Sequence, residues 1–173
     1  MNMFGGSEGL SRRLRTEIEA PTHTIYTEER NMKTKIFIDG SEGTTGLRIH
    51  ERFQGRDDIE LLKIDPELRK DPNERKRLIN ESDITFLCLP DDAARESVSL
   101  VENENVVIID TSTAHRTEEG WSYGFPELSA THKEKIISGK RIAVPGCYAT
   151  GFISLIYPLV ACGILPKYYL YYS

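Results

Sequence analysis

The segment Val144-Pro145-Gly146-Cys147-Tyr148-Ala149-Thr150-Gly151 places a thiol where a strand gives way to a helix. A strand ends at Val144, Pro-Gly turns the chain, and a helix is expected from Ala149 to Cys162. A thiol ahead of a helix N-terminus feels the positive end of the helix dipole, which favours thiolate and makes a nucleophile. Backbone amides at the same turn can hold a developing oxyanion. The other two cysteines read differently. Cys88 lies inside Ile-Thr-Phe-Leu-Cys-Leu and Cys162 lies on the apolar side of the last helix, and both suit small buried hydrophobes.

A second chemical feature is Gly40-Ser41-Glu42-Gly43-Thr44-Thr45-Gly46, which follows the first strand and opens a helix. Glycines permit a tight turn and close backbone approach, and free amides at a helix start face an anion, so the run suits a dinucleotide pyrophosphate. Ser41, Thr44 and Thr45 add hydroxyl donors. The spacing differs from the commoner G-x-G-x-x-G, and the strand-to-helix position is what gives it weight. Asp65, after the second strand, sits where an acid accepts ribose hydroxyls, or else it caps a turn with Pro66. Arg69 and Lys70 follow closely and suit a 2′-phosphate, so charge alone leaves NAD and NADP both open.

The elements that must position these residues alternate along the chain. Strands are expected at Lys35–Asp39, Glu60–Asp65, Ile84–Leu89, Val106–Asp110 and Arg141–Val144. Helices are expected at Gly46–Gln54, Pro72–Glu81, Asp91–Glu102 and Thr131–Ile137. The third has an apolar stripe of Ala94, Val98 and Val101, with Asp91 or Asp92 as its cap. Nearly continuous apolar strands imply burial on both faces, as parallel sheets require. The expected fold is therefore a doubly wound α/β domain with a mainly parallel sheet and its ligands at the carboxyl ends of the strands. No internal repeat is visible.

Length and charge narrow the function classes. A chain of 173 residues is enough for one compact domain with a tail. A net charge of −5 argues against a nucleic-acid partner, which needs a basic face. No apolar run reaches the roughly 18 residues that a membrane helix requires. Three scattered cysteines form neither a disulfide framework nor a zinc site, and no His/Asp cluster supports a metal-dependent hydrolase. A soluble, cytoplasmic protein is expected. Residues 1–32 read as a poorly ordered extension with a short helix from Ser11 to Ala20, and Met32 stands as the expected functional start. His23, His50 and His132 read as solvated surface.

Five ordered blocks, IDGSEGTTG, LCLPDDAAR, DTSTAHRT, YGFPEL and PGCYATG, resemble N-acetyl-gamma-glutamyl-phosphate reductase of the shorter subtype. The resemblance runs from about Lys35 to Pro166. It implies a Rossmann-type NADP-binding domain over residues 33–146 and the start of a substrate domain over 147–173, with most of the second domain and its catalytic His missing. It also implies a place in arginine biosynthesis. Carried onto matching positions, Cys147 is the nucleophile, Gly40 to Gly46 hold the cofactor, and Pro90 lies beside the nicotinamide. In the third block Arg116 is the candidate for the substrate phosphate, because a guanidinium fork matches phosphate oxygens. The alternative for Arg116 is a surface ion pair. Ser112 and Thr113 assist, His115 reads as a base or as a structural residue, and Glu127 orients substrate or caps a helix. The expected partner is a small acyl phosphate, with a homo-oligomer in keeping with the family. Two other readings stand beside this one: an aspartate-semialdehyde dehydrogenase-like enzyme, and a non-catalytic dinucleotide-binding fragment or redox sensor. The aromatic ending Lys167 to Ser173 is unlike a finished domain, so the chain alone is expected to be weak or inactive.

Overall fold

A computed structural model describes residues 32–166. The helix expected from Ser11 to Ala20, the extension around it, and the aromatic ending lie outside the described residues.

Strand β1 (Thr34–Asp39) is followed by helix α1 (Thr44–Phe53), β2 (Ile59–Leu62), α2 (Pro72–Glu81) and β3 (Ile84–Leu87). Next come α3 (Asp91–Ser99), β4 (Val107–Asp110), the short strand β5 (Ser122–Tyr123) and a single 3₁₀ turn at Pro126–Leu128. Helix α4 (Ala130–Ser138), β6 (Arg141–Ala143) and α5 (Cys147–Ala161) complete the described chain.

All six strands are parallel, in the order β2-β1-β3-β4-β6-β5. Ile36 of β1 lies opposite Leu61 on one side and Ile84 on the other. The chain therefore leaves β1 in one direction for β2 and in the other for β3, which creates a topological switch point. Ligands of open α/β sheets bind in the crevice outside the carboxyl ends of such strands. The doubly wound, Rossmann-type architecture expected from the sequence is what forms.

The core lies where sheet and helices meet. Phe37, Leu87, Val106 and Ile108 from the strands and their approaches pack with Leu78 and Ile79 of α2 and Ala94 of α3. Residues Ile36 to Asp39 are all buried, as the central position of β1 demands. Helix α2 keeps its expected bounds because its start is doubly specified. Asp71 accepts from the amides of Asn73 and Glu74, and Pro72 occupies the first helical turn.

The structure corrects several local expectations. Strand β2 stops at Leu62, so Asp65 lies in the following turn. Strand β3 stops at Leu87, which takes Cys88 out of the strand and onto the crevice edge. Neither Asp91 nor Asp92 caps α3: Pro90 holds the cap position without a side-chain bond, and Asp91 is taken up by Thr113 across the edge. The helix ends at Ser99, so Val101 packs on the core from beyond it. Helix α5 starts at Cys147 rather than Ala149, and Cys162 at its end is exposed rather than buried. Strand β5 and the 3₁₀ turn have no counterpart in the sequence reading.

Candidate active site

The residues singled out by sequence arrive at the carboxyl edge in two groups. The first is built on β1. Asp39 ends the strand, and Gly40 turns the chain with φ of +84°, a left-handed conformation that favours glycine. A Cβ at Gly40 would strike the Cys88 carbonyl, and one at Gly46 would strike the Gly40 carbonyl and the Ser41 backbone. The Gly43 amide closes the loop by donating to the Gly40 carbonyl at 3.1 Å. Gly43 caps α1 with no side-chain bond, so the first-turn amides at Thr44, Thr45 and Gly46 are not spent on a capping side chain. Thr44 and Thr45 are exposed, and Ser41 is half-buried.

Beside this loop opens a cleft of about 520 Å³, walled by Gly40–Gly43, Ile64, Arg69, Lys70 and Leu89. Its floor contains an ion pair that the sequence reading missed. Arg75 donates Nε and Nη2 to Asp39 Oδ2 at 3.2 and 3.1 Å, and Nη1 to Glu96 at 3.3 Å. Ser97 Oγ donates to the same Asp39 oxygen at 2.8 Å. Both ions are almost fully enclosed, Arg75 at 6% exposed and Asp39 at 4%. Such a pair survives burial only because its hydrogen bonds are satisfied. It fixes the end of β1 immediately before the turn at Gly40. Cys88 lines the same cleft. Burial pushes its thiol up to about 11, a rise moderated by a hydrogen bond with Thr111.

A loop cleared of side chains, unspent helix-start amides and an adjoining cleft fit a dinucleotide pyrophosphate. Asp65 takes the turn role: its Oδ1 accepts the Glu67 amide at 2.9 Å. Arg69 and Lys70, in contrast, both face the cleft.

The second group gathers around Cys147, which is exposed in the first turn of α5. Arg116 lies against this turn. It donates Nε to the Val144 carbonyl at 3.0 Å, and Nη2 reaches the Thr111 carbonyl at 3.4 Å. A Cβ on Gly146 would sit 2.8 Å from Arg116 Nη1, so glycine is what admits the guanidinium beside the cysteine turn. Among the described residues Arg116 makes no ion pair with a carboxylate, which sets aside the surface-pair alternative. The result is a half-buried cation held by carbonyls next to a thiol.

The remaining candidates of the third block hold the loop together. Ser112 is buried, and its hydroxyl donates to Asp110 Oδ2 at 2.7 Å while accepting the Ala114 amide. His115 Nδ1 lies 2.6 Å from the same Asp110 oxygen, and its ring stacks on Trp121 with centroids 4.1 Å apart. His115, at 2% exposed, is enclosed between Asp110 and Trp121. Thr113 donates its hydroxyl and amide to Asp91, and these bonds hold the Asp91 carboxyl below the usual carboxylate range, helped by Arg95 and Arg116. Glu127 is exposed in the 3₁₀ turn. His132 bonds Ser129 at the start of α4, and His50 is half-buried, so neither is fully solvated. Pro90 separates the two groups: Leu89 before it walls the cleft and Asp91 after it ties to Thr113. Cys147 does not line the cleft itself.

Comparison with known proteins agrees with this geometry. Residues 24–136 match the family model described as "Semialdehyde dehydrogenase, NAD binding domain". The chain is 56% identical over 135 residues to N-acetyl-gamma-glutamyl-phosphate reductase of Trichormus variabilis, covering 78% of this chain and 42% of that protein. It is 54% identical over 134 residues to N-acetyl-gamma-glutamyl-phosphate reductase 2 of Pseudomonas putida, covering 78% and 43%. The chain thus spans less than half the length of these curated relatives. Among solved structures, aspartate semialdehyde dehydrogenase of Francisella tularensis superposes with a TM-score of 0.56 at 16% identity, over 75% of this chain and 41% of that one. Aspartate semialdehyde dehydrogenase II of Vibrio cholerae gives 0.53 at 14%, over 75% and 47%. At such identities these structures speak for the fold alone. Sheet order, glycine loop and family match coincide on one conclusion: the chain belongs to the family of semialdehyde dehydrogenase NAD-binding domains.

Proposed function

We propose that the chain carries the nucleotide-binding and nucleophile-bearing part of an NADP-dependent acyl-phosphate reductase, acting on N-acetyl-glutamyl 5-phosphate to give N-acetylglutamate 5-semialdehyde. The observation that carries the reading is the exposed Cys147 in the first turn of α5 with the Arg116 guanidinium packed on the preceding glycine. The names of the curated relatives supply the substrate. Residues 33–146 serve the nucleotide, and residues from Cys147 onward open the substrate-binding part.

The chemistry follows from these groups. Cys147 Sγ attacks the acyl carbon; a carbon–sulfur bond forms, the carbon–oxygen bond to phosphate breaks, and phosphate departs with the bonding pair. Arg116 supports the departing phosphate, since it is a cation held by carbonyls that makes no ion pair among the described residues. Amides of the α5 start donate to the developing oxyanion. Thr113, Asp91 and Pro90 hold the segment between thiol and cleft, and Ser112 supports it through Asp110. When bound, NADPH supplies the hydride that reduces the thioester to the aldehyde level. Gly40, Gly43 and Gly46 would give its pyrophosphate room, Ser41, Thr44 and Thr45 would add hydroxyl donors, and Arg69 and Lys70, which line the cleft, would meet the 2′-phosphate. Three free cysteines accord with a cytoplasmic setting. The exposed apolar side chains of α5 accord with association, either with the rest of the protein or with a second copy.

The test is acyl transfer, which precedes any need for a nucleotide. Incubated with N-acetyl-glutamyl phosphate, the chain is expected to gain the mass of one acyl group on the peptide holding Cys147 and to release phosphate. Cys147→Ser should lose the thioester, and β-aspartyl phosphate should react more slowly. Acylation of Cys88 or Cys162 at the rate of Cys147 would defeat the assignment.

A further inference from the structure

The cleft beside the glycine loop carries a charge arrangement that the function described above does not use. Glu42, in the middle of that loop, is ion-paired with Arg69 Nη1 on the loop between β2 and α2. The two side chains come from segments 27 residues apart, and both line the same cleft. The Glu42 and Arg69 side chains are 63% and 51% exposed, so the pair stands in water rather than in the core. The other charges there are differently placed. Arg75 is committed to Asp39 and Glu96 on the floor, while Lys70 makes no ion pair among the described residues.

Resting on the reading of this cleft as the dinucleotide site, we propose that Glu42 is a specificity-setting residue: it competes with the 2′-phosphate of NADPH for Arg69 and thereby weakens discrimination against NADH. A guanidinium whose Nη1 already holds a carboxylate must release it before both terminal nitrogens can receive a phosphate. The displaced carboxylate then stays close to a dianion, an added repulsion that a neutral side chain would not exert. NADH, lacking the 2′-phosphate, leaves the Glu42–Arg69 pair closed. Any repulsion between Glu42 and the pyrophosphate falls on both dinucleotides alike and cancels in their ratio. Exposed ion pairs are cheap to open, so the competition tunes the preference without blocking the site.

The experiment is titration calorimetry of the full chain with NADPH and with NADH, for wild type, Glu42→Gln, Arg69→Gln and the double variant. In Glu42→Gln the ratio of the NADH to the NADPH dissociation constant should rise about three- to tenfold, and the rise should shrink at high salt. In the Arg69→Gln background the same change should leave the ratio unmoved, because the contested cation is gone. A role confined to loop packing would alter both dinucleotides equally. An unmoved or falling ratio in Glu42→Gln, with NADPH still bound, overturns the proposal and leaves the dinucleotide reading intact. Failure of wild type to bind either dinucleotide overturns both. A wild type that prefers NADH, with a ratio that still rises in Glu42→Gln, upholds the competition and defeats the NADP assignment.

Discussion

Arg75 sits 6% exposed between Asp39, Ser97 and Glu96, whereas none of the fifteen residues of α5 is buried. Both regions serve the same edge of the sheet, yet one is complete and the other is not. Around the glycine loop every charged side chain on the floor has its partner, and the backbone turn is locked by packing that excludes a Cβ. On α5, Tyr148, Phe152 and Leu155 are respectively 92, 55 and 73% exposed. An apolar helix with no buried face has no folding energy of its own to draw on, since most helical stability in proteins comes from packing. The region around the glycine loop therefore holds its geometry from within, while α5 has its first turn held by Arg116 and, among the described residues, lacks cover beyond it.

The sharpest way to break this comparison is at the buried pair. Arg75→Met leaves the Asp39 carboxylate enclosed with only Ser97 for support, and the expected loss is about 3–5 kcal/mol of unfolding free energy, read by urea titration. Replacing Asp39 and Arg75 together by Asn and Met should recover part of that loss. A loss below about 1 kcal/mol in Arg75→Met would mean that the pair does not organise the edge.

Glycine substitutions sharpen the same contrast with opposite signs. Gly40→Ala forces a Cβ onto a left-handed residue and into the Cys88 carbonyl, so it should cost at least about 2 kcal/mol and remove dinucleotide binding. Gly151, within α5, has open space where its Cβ would be, so Gly151→Ala should gain up to about 1 kcal/mol through helix propensity. Thermal melts of the two variants should move in opposite directions.

The smallest effect concerns pH. Cys88 binds its proton more tightly in the folded chain, near 11 against an ordinary 9.0. The neutral thiol therefore contributes stability that is fully present below about pH 9 and is lost as pH rises toward 11. Cys88→Ser should flatten the decline in stability across that window. The same burial should make Cys88 slower than Cys147 toward iodoacetamide at neutral pH.

How much of this was readable beforehand varies with the range of the interaction. Helix α2 was legible to the residue because Asp71 and Pro72 are local signals, and the glycine loop was legible because it sits between a strong strand and a helix. Strand β5 escaped notice because two residues, Ser122 and Tyr123, carry no period. The Asp39–Arg75 pair joins residues 36 apart, and charged residues are ordinarily on the surface, so nothing local marks them as core. Asp91 looked like a helix cap because its competing partner, Thr113, is 22 residues away. Cys162 was misread for a different reason: an apolar neighbourhood in sequence implies burial only if something covers it, and among the described residues nothing does.

The strand order has a consequence for how the molecule is made. Each ladder joins strands whose partners have all been synthesised by Ala143, four residues before the thiol appears. Because domains fold as units and N-terminal ones first during translation, every strand of the sheet is made before Cys147. Cys147 would then follow the last strand onto a sheet already made.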